Sequence, residues 1–276
     1  MSERNGYEHG VPSWIAGAHA DPDQAAAFYT ELFGWDSERR GEHLVCTLRG
    51  RDVAGFVRGD EPAWRTNVWV ESADETASKV QDAGGSVVME PFDVVDAGRM
   101  AVFTDPEGAV FRVWKAKEHK GARIVNENGS LNFNGLNTRD AEGAKSFYGS
   151  VFGWRTLSLG GGAGMWTLPG YGDYLERDNP DLRKQMAEVA ALEGFEDVVA
   201  SINPITDDQP DVPAHWNVTF AVDDADATAD RAAELGGQVI APPFDAPWVR
   251  MTVIADPQGA IFTANKFVPE NRDLGG

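Results

Sequence analysis

Phe28-Tyr29-Thr30-Glu31-Leu32-Phe33-Gly34-Trp35 is written a second time, as Phe147-Tyr148-Gly149-Ser150-Val151-Phe152-Gly153-Trp154, at an offset of 119 residues. Upstream, Asp21-Pro22 matches Asp140-Ala141. Asp caps helix N-termini well, and proline is tolerated in a first turn. Ala25, Phe28, Tyr29, Leu32 and Phe33 recur at helical spacing, and Gly34 ends the helix. Further on, Val70 to Gly85 returns as Val222 to Gly237, and Asp105-Pro106-Glu107-Gly108 as Asp256-Pro257-Gln258-Gly259, at offsets of 152 and 151. The chain is therefore two related halves, and a site built from matching positions is expected twice.

Each half reads as two successive strand–helix–strands units. Strands are expected at about 12–20, 65–70, 86–89, 100–103 and 109–115, with a hairpin over 42–57. A helix is expected over about 74–83, ended by Gly84-Gly85. Asp105-Pro106-Glu107-Gly108 suits a tight turn, with proline second and glycine fourth. The polar run 118–129 reads as a linker between domains at 8–117 and 130–269. The growth of the offset from 119 to 152 puts about 33 additional residues in the second half. They include an insertion at about 171–197, where Leu182, Met186, Val189 and Leu192 share one helical face. An insertion of this kind serves as a lid or as an edge cover, and the edge cover is favoured. The run Gly160-Gly161-Gly162-Ala163-Gly164 lacks the Lys-Ser/Thr of a phosphate loop and reads as a hairpin turn.

The 276 residues suffice for two domains. A net charge of −20 disfavours nucleic acid and anionic membranes as partners. The lone Cys46 fits a reducing cytoplasm. The start Met1-Ser2-Glu3-Arg4-Asn5-Gly6 has no apolar core, so no leader peptide is expected, and no apolar run is long enough to span a bilayer.

The Phe-Tyr-(x)3-Phe-Gly-Trp helix end, the Gly-Gly after the second helix and the Asp-Pro-x-Gly turn recur in order. Together they resemble the vicinal oxygen chelate superfamily: glyoxalase I, extradiol dioxygenases, fosfomycin-resistance enzymes and bleomycin-binding resistance proteins. The arrangement looks particularly like tandem glyoxalase-like proteins of the actinobacterial type. The resemblance implies an α+β fold of four βαβββ modules, arranged as two tandem domains with curled mixed sheets around clefts. In the superfamily's enzymes the cleft holds a divalent metal, with His, Glu or Gln ligands from the first and last strands of each unit.

Carried over one at a time, those ligand positions fall on Trp14, Gly55, Arg65 and Arg112 in the first half, and on Phe133, Ser201, Asn217 and Thr263 in the second. None is His, Glu, Asp, Gln or Cys, so no metal and no cofactor are expected. The histidines His9, His19, His43, His119 and His215 show no paired ligand spacing. His19 ends a strand, with a parity that turns it to the helix side.

Strand alternation groups side chains with these positions. Trp14, Arg65, Asn67, Trp69, Arg112 and Trp114 would make the first cleft aromatic and cationic. Phe133, Asn137, Asn217 and Thr219 would make the second richer in amides. The tryptophans suit stacking on a planar ligand, and the arginines suit a carboxylate or phenolate. The expected function is binding of a small planar aromatic metabolite or antibiotic, by a monomeric pseudo-dimer or a homodimer. The alternatives are a metal-dependent lyase or dioxygenase with an unconventional site, and an interaction module that docks through the insertion.

Overall fold

The computed structural model describes residues 3–41, 43–189 and 191–274. Met1 and Ser2 of the leader reading, Glu42 at the expected hairpin start, and Ala190 of the insertion lie outside them. The first half builds β1 (Pro12–His19), α1 (Pro22–Phe33), β2 (Asp36–Arg40), β3 (His43–Leu48) and β4 (Arg51–Arg58). It then builds β5 (Ala63–Trp69), α2 (Ala73–Asp82), β6 (Ser86–Val94), β7 (Gly98–Thr104) and β8 (Val110–Ala116). The second half repeats this with β9 (Ser130–Thr138), α3 (Ala141–Phe152), β10 (Arg155–Gly160), β11 (Ala163–Thr167) and β12 (Val198–Pro204). Its last unit is β13 (His215–Ala221), α6 (Ala225–Glu234), β14 (Gln238–Ala246), β15 (Val249–Ala255) and β16 (Ile261–Phe267).

These are four βαβββ modules. The wholly exposed β2 (Asp-Ser-Glu-Arg-Arg) carries no apolar alternation and so leaves no strand signal in the sequence. Two modules join into each open, mixed eight-stranded sheet, ordered β2-β3-β4-β1-β5-β8-β7-β6 and β10-β11-β12-β9-β13-β16-β15-β14. The modules meet where β1 and β5 run antiparallel, and where β9 and β13 do the same.

The helices form as their ends dictate. The Asp21 side chain accepts from the backbone N–H groups of Asp23 and Gln24, and Gly34 takes a left-handed conformation at the other end. Asp140 and Gly153 do the same for α3.

Each core is shared between the halves. Phe28, Tyr29 and Phe33 of α1 pack with Phe220 of β13 and Phe262 of β16. Phe147, Tyr148 and Phe152 of α3 pack with Val68 of β5 and Phe111 of β8. The halves therefore dock through their helix-bearing faces, and the opposite face of each sheet is left for other uses. Polar pairs fix the docking. Trp35 Nε1 donates to the Gly129 carbonyl at 2.6 Å, and Trp154 Nε1 to the Gly10 carbonyl at 2.8 Å. His19 is fully buried, with Nε2 2.6 Å from Asp256 Oδ2.

Segment 118–129 is no loose tether. Ala122 and Ile124 are fully buried, and Ala122 N donates to Ser13 O at 2.7 Å. Gly121 passes so close that a Cβ there would lie 2.6 Å from Ser13 O.

The insertion forms α4 (Tyr171–Glu176), α5 (Leu182–Glu188) and a short 3-10 turn. Arg183 ties them together through Asp173, Glu176 and Glu196. α5 stops at Glu188, short of Val189 and Leu192, and of the expected apolar face Leu182, Met186 and Val189 are only half-buried while Leu192 is exposed. Tyr171 of α4 instead packs with Tyr7 and Val11, so the insertion braces the first half's amino-terminal segment.

Candidate functional site

On the helix-free face of the first sheet, Trp14, Asn67, Arg112 and Trp114 line one cavity of about 350 Å³. Strand pairing brings them together. Trp14 lies opposite Asn67 across β1 and β5, and Asn67 lies beside Arg112 across β5 and β8. The neighbours Ile15, Val68, Phe111 and Val113 point the other way, into the cores.

Two glycines seat the indoles. A Cβ on Gly55 would come within 3.1 Å of Trp14 Cζ2, and one on Gly98 within 2.4 Å of Trp114 Cζ2. The remaining wall comes from residues that strand alternation did not single out. Met100 belongs to β7, Arg40 to β2 and Asp52 to β4. His119 stands edge-on to Trp14 at 4.4 Å between ring centroids and to Trp114 at 5.7 Å. Trp114 Nε1 donates to the His119 carbonyl at 3.0 Å. His119 sits in the polar run read as a linker, where period-two patterning has nothing to say.

Charge is unevenly placed. Arg40 forks onto Asp52 at 2.7 and 2.8 Å. Burial raises the Asp52 carboxyl, but the adjacent His119 and the Arg40 fork outweigh it and hold it at about 2. His119 Nδ1 lies 3.7 Å from Asp52, longer than a hydrogen bond, so the Arg40 fork is the firmer anchor. Burial, and then the like charge of Arg65, bring Arg112 down to about 10. Burial also lowers Arg65, which shares the face without lining the cavity. Trp69 stands outside this cavity, 6.1 Å from the Tyr7 ring, under the amino-terminal segment.

The matching face of the second sheet differs in kind. Asn137 Nδ2 lies 3.2 Å from His215 Nε2 and donates to Asn217 Oδ1 at 3.4 Å. Asn217 Nδ2 donates to Thr263 Oγ1 at 3.5 Å. Gly135 is the hub, since a Cβ there would meet Asn217 Oδ1 at 2.4 Å. Phe133 pairs opposite Thr219 on the same face. The two faces thus differ, one aromatic and cationic, the other rich in amides and hydrogen-bonded within itself. Among the described residues, no group of three or more His, Cys, Asp or Glu side chains is disposed to hold a metal ion.

Comparison with known proteins agrees with this architecture. Residues 130–263 match the Glyoxalase/Bleomycin resistance protein/Dioxygenase superfamily, and residues 14–114 match a glyoxalase-like domain. The chain is 39% identical to CFP32 of Mycobacterium tuberculosis, whose name assigns it provisionally to the glyoxylases, over 98% of this chain and all of that one. It is 32% identical to the anthracycline biosynthesis protein DnrV of Streptomyces peucetius, over 92% of each. The Mn(II)-bound glyoxalase of Novosphingobium aromaticivorans superimposes with a TM-score of 0.62 at 16% identity, covering 94% of this chain and 83% of that one. Shared motifs, sheet topology and full-length similarity together establish that the chain belongs to the glyoxalase/bleomycin resistance protein/dioxygenase superfamily.

Proposed function

We propose that the protein binds a small planar aromatic molecule in the first-half cavity, without a metal ion. One observation carries the reading: the wall is built from Trp14 and Trp114, each seated over a glycine, at a volume that suits a small ligand. Stacked aromatic contacts are worth about 0.5–1.5 kcal/mol each beyond area burial.

The residues at the superfamily's ligand positions do not fit a divalent metal. Trp14 offers an indole and Gly55 no side chain, while Arg65 and Arg112 are cations that repel one. The name of DnrV adds support, because anthracyclines are planar polycyclic aromatics. The same reading places the protein in the cytoplasm, given its single buried Cys46, and keeps it from nucleic acid and anionic membranes at a charge of −20. It acts as a monomeric pseudo-dimer or a homodimer. No helix among the described residues is long and apolar enough to cross a membrane.

Native mass spectrometry of protein purified without a metal-affinity tag tests the reading. An adduct of organic mass, lost on denaturation and absent from Trp14→Ala, is expected. A stoichiometric divalent metal in its place would overturn the proposal and favour a metal-dependent lyase or dioxygenase.

A further inference from the structure

Two half-buried cations on the cavity's face of the first sheet, Arg112 in its wall and Arg65 beside it, have no counter-ion. Arg112 belongs to β8 and Arg65 to the adjacent β5, on the same face of the sheet. Among the described residues, neither guanidinium comes within 4 Å of a carboxylate, and neither side chain makes a hydrogen bond. Arg112 Nε is shut off from water with no acceptor at all. A buried, unpartnered charge is costly, and a protein normally pairs it.

Half-buried arginines on the matching strands β7 and β15 are paired with carboxylates, although Arg4 Nε is, like Arg112 Nε, buried without an acceptor. Arg99 forks onto Asp74 at 2.8 Å from both Nε and Nη2. Its counterpart Arg250 holds Asp226 in the same way. With 44 acidic residues against 24 basic ones, carboxylates are not scarce.

The acids around the cavity are committed or exposed. Asp52 is held by Arg40. Glu118 is exposed at the rim, and Glu61 is exposed in the turn before β5, reaching Arg65 only through its field. In the second half, Asn217 and Thr263 occupy the equivalent positions and bond to each other. The charge is thus confined to the half that has the cavity and the indole walls.

We propose that the cavity takes an anionic ligand, a planar aromatic molecule bearing a carboxylate or phenolate-type oxygen, which Arg112 receives with Arg65 behind it. This rests on the reading of the cavity as a binding site and adds the charge of what enters. A guanidinium offers a planar fork of donors that matches such oxygens, and its N–H groups strengthen when water is excluded. Trp14 and Trp114 would flank the ring while the anionic oxygen lies towards β5 and β8.

The test uses 2-naphthoate and 2-naphthamide, which share a ring system and nearly a shape and differ in charge. Binding to the full chain is followed by titration calorimetry and by quenching of tryptophan fluorescence. Naphthoate is expected to bind about tenfold tighter or better, with an advantage that shrinks as salt is raised. In Arg112→Gln, naphthoate should lose far more affinity than naphthamide, so that the advantage falls to about twofold. Ligand-free Arg112→Met should melt no lower than the unsubstituted chain, because an unpaired buried cation has been removed.

Equal affinity for the two probes, insensitive to Arg112→Gln, would overturn the anion seat and leave the aromatic reading standing. Failure of both probes to bind the folded chain at millimolar concentration would overturn both. A clearly lowered melting temperature in Arg112→Met would also count against the proposal, since it would show that the arginine serves the fold.

Discussion

The Tyr29 hydroxyl of the first half donates to Asp256 Oδ2 of the second at 3.1 Å, and Tyr148 of the second half returns the contact to Asp105 Oδ2 of the first at 3.0 Å. The other oxygen of each aspartate holds its own Asp-Pro-x-Gly turn, with Asp256 Oδ1 accepting from Gln258 and Ala260 and Asp105 Oδ1 from Glu107 and Ala109. Two motifs that recur along the sequence are therefore docking partners in space, each helix tyrosine fitting the turn of the opposite half. The tyrosines also accept from Trp64 and Trp216, at 2.9 and 2.8 Å. Tyr29→Phe would strand the buried Trp64 N–H as well as losing the aspartate contact. It should cost about 2–3 kcal/mol in urea unfolding, and Tyr148→Phe should do the same through Trp216. A loss below about 0.5 kcal/mol in both would mean that the contacts do not hold the halves together.

The symmetry is broken at one position. His19 reaches Asp256, whereas its counterpart Thr138 bonds Glu107. Burial raises both aspartates. At Asp256 the His19 contact and the turn's backbone N–H groups outweigh burial and leave the carboxyl below its usual value, while Asp105 stays above it. His19→Ala should therefore shift the Asp256 carboxyl upwards and leave Asp105 unmoved. Carboxylate NMR titration reads both, and an equal shift at both sites would refute the assignment.

Asp52 anchors the strap that carries His119. Its carboxyl is held at about 2, below the unfolded value near 3.8, so its contribution is full above about pH 4 and is lost as the pH falls towards about 2. The size is about 2 kcal/mol for a side chain this well covered. Asp52→Asn should thus be less stable at neutral pH, with the gap closing between about pH 4 and pH 2. Unfolding curves at pH 7, 4 and 2.5 would check this, and a constant gap would deny the electrostatic origin.

Much of the fold was legible because its signals are local. Asp caps, Gly ends and strand alternation mark helices, strands and strand faces from neighbouring residues alone. The site was half legible by the same logic. Alternation put Trp14, Asn67, Arg112 and Trp114 on one face, but it also put Trp69 there, and only the path of the amino-terminal segment shows that it packs beside Tyr7 instead. His119 and Asp52 were silent for a related reason. Their role depends on where an irregular segment lies, and irregular backbone has no period to read. The shared cores were equally hidden, since apolar stripes on α1 and α3 do not say which half they will meet.

The glycine under Trp114 makes a sharp steric test. Gly98→Ala would place a Cβ 2.4 Å from Trp114 Cζ2 and 2.6 Å from the Lys115 carbonyl. Neither neighbour yields freely, because Lys115 O is backbone and Trp114 is tied to His119 O. Overpacking of this kind costs about 1–3 kcal/mol. The indole should also be driven into the cavity, so binding of a planar ligand should weaken together with stability. Near-ultraviolet circular dichroism would report the displaced ring, and an unchanged spectrum would show that the strand shifts instead.

His119 separates the contributions of wall and wedge. Its ring stands edge-on to both indoles, so it occupies part of the space between them. In His119→Ala the strap is still held by the backbone bonds of Ala122 to Ser13 and of Arg123 to Asp52, so stability should change by less than about 1 kcal/mol. The two tryptophans would then face each other across a wider slot, and a planar aromatic probe should bind at least as tightly. Trp14→Ala should act in the opposite sense, weakening the same probe by about tenfold through lost stacking and burial. If Trp14→Ala left the affinity untouched while His119→Ala abolished it, the histidine would be the binding group and the indoles mere packing. Fluorescence titration of both variants with one probe decides between these arrangements, because the two models assign opposite signs to the same pair of substitutions.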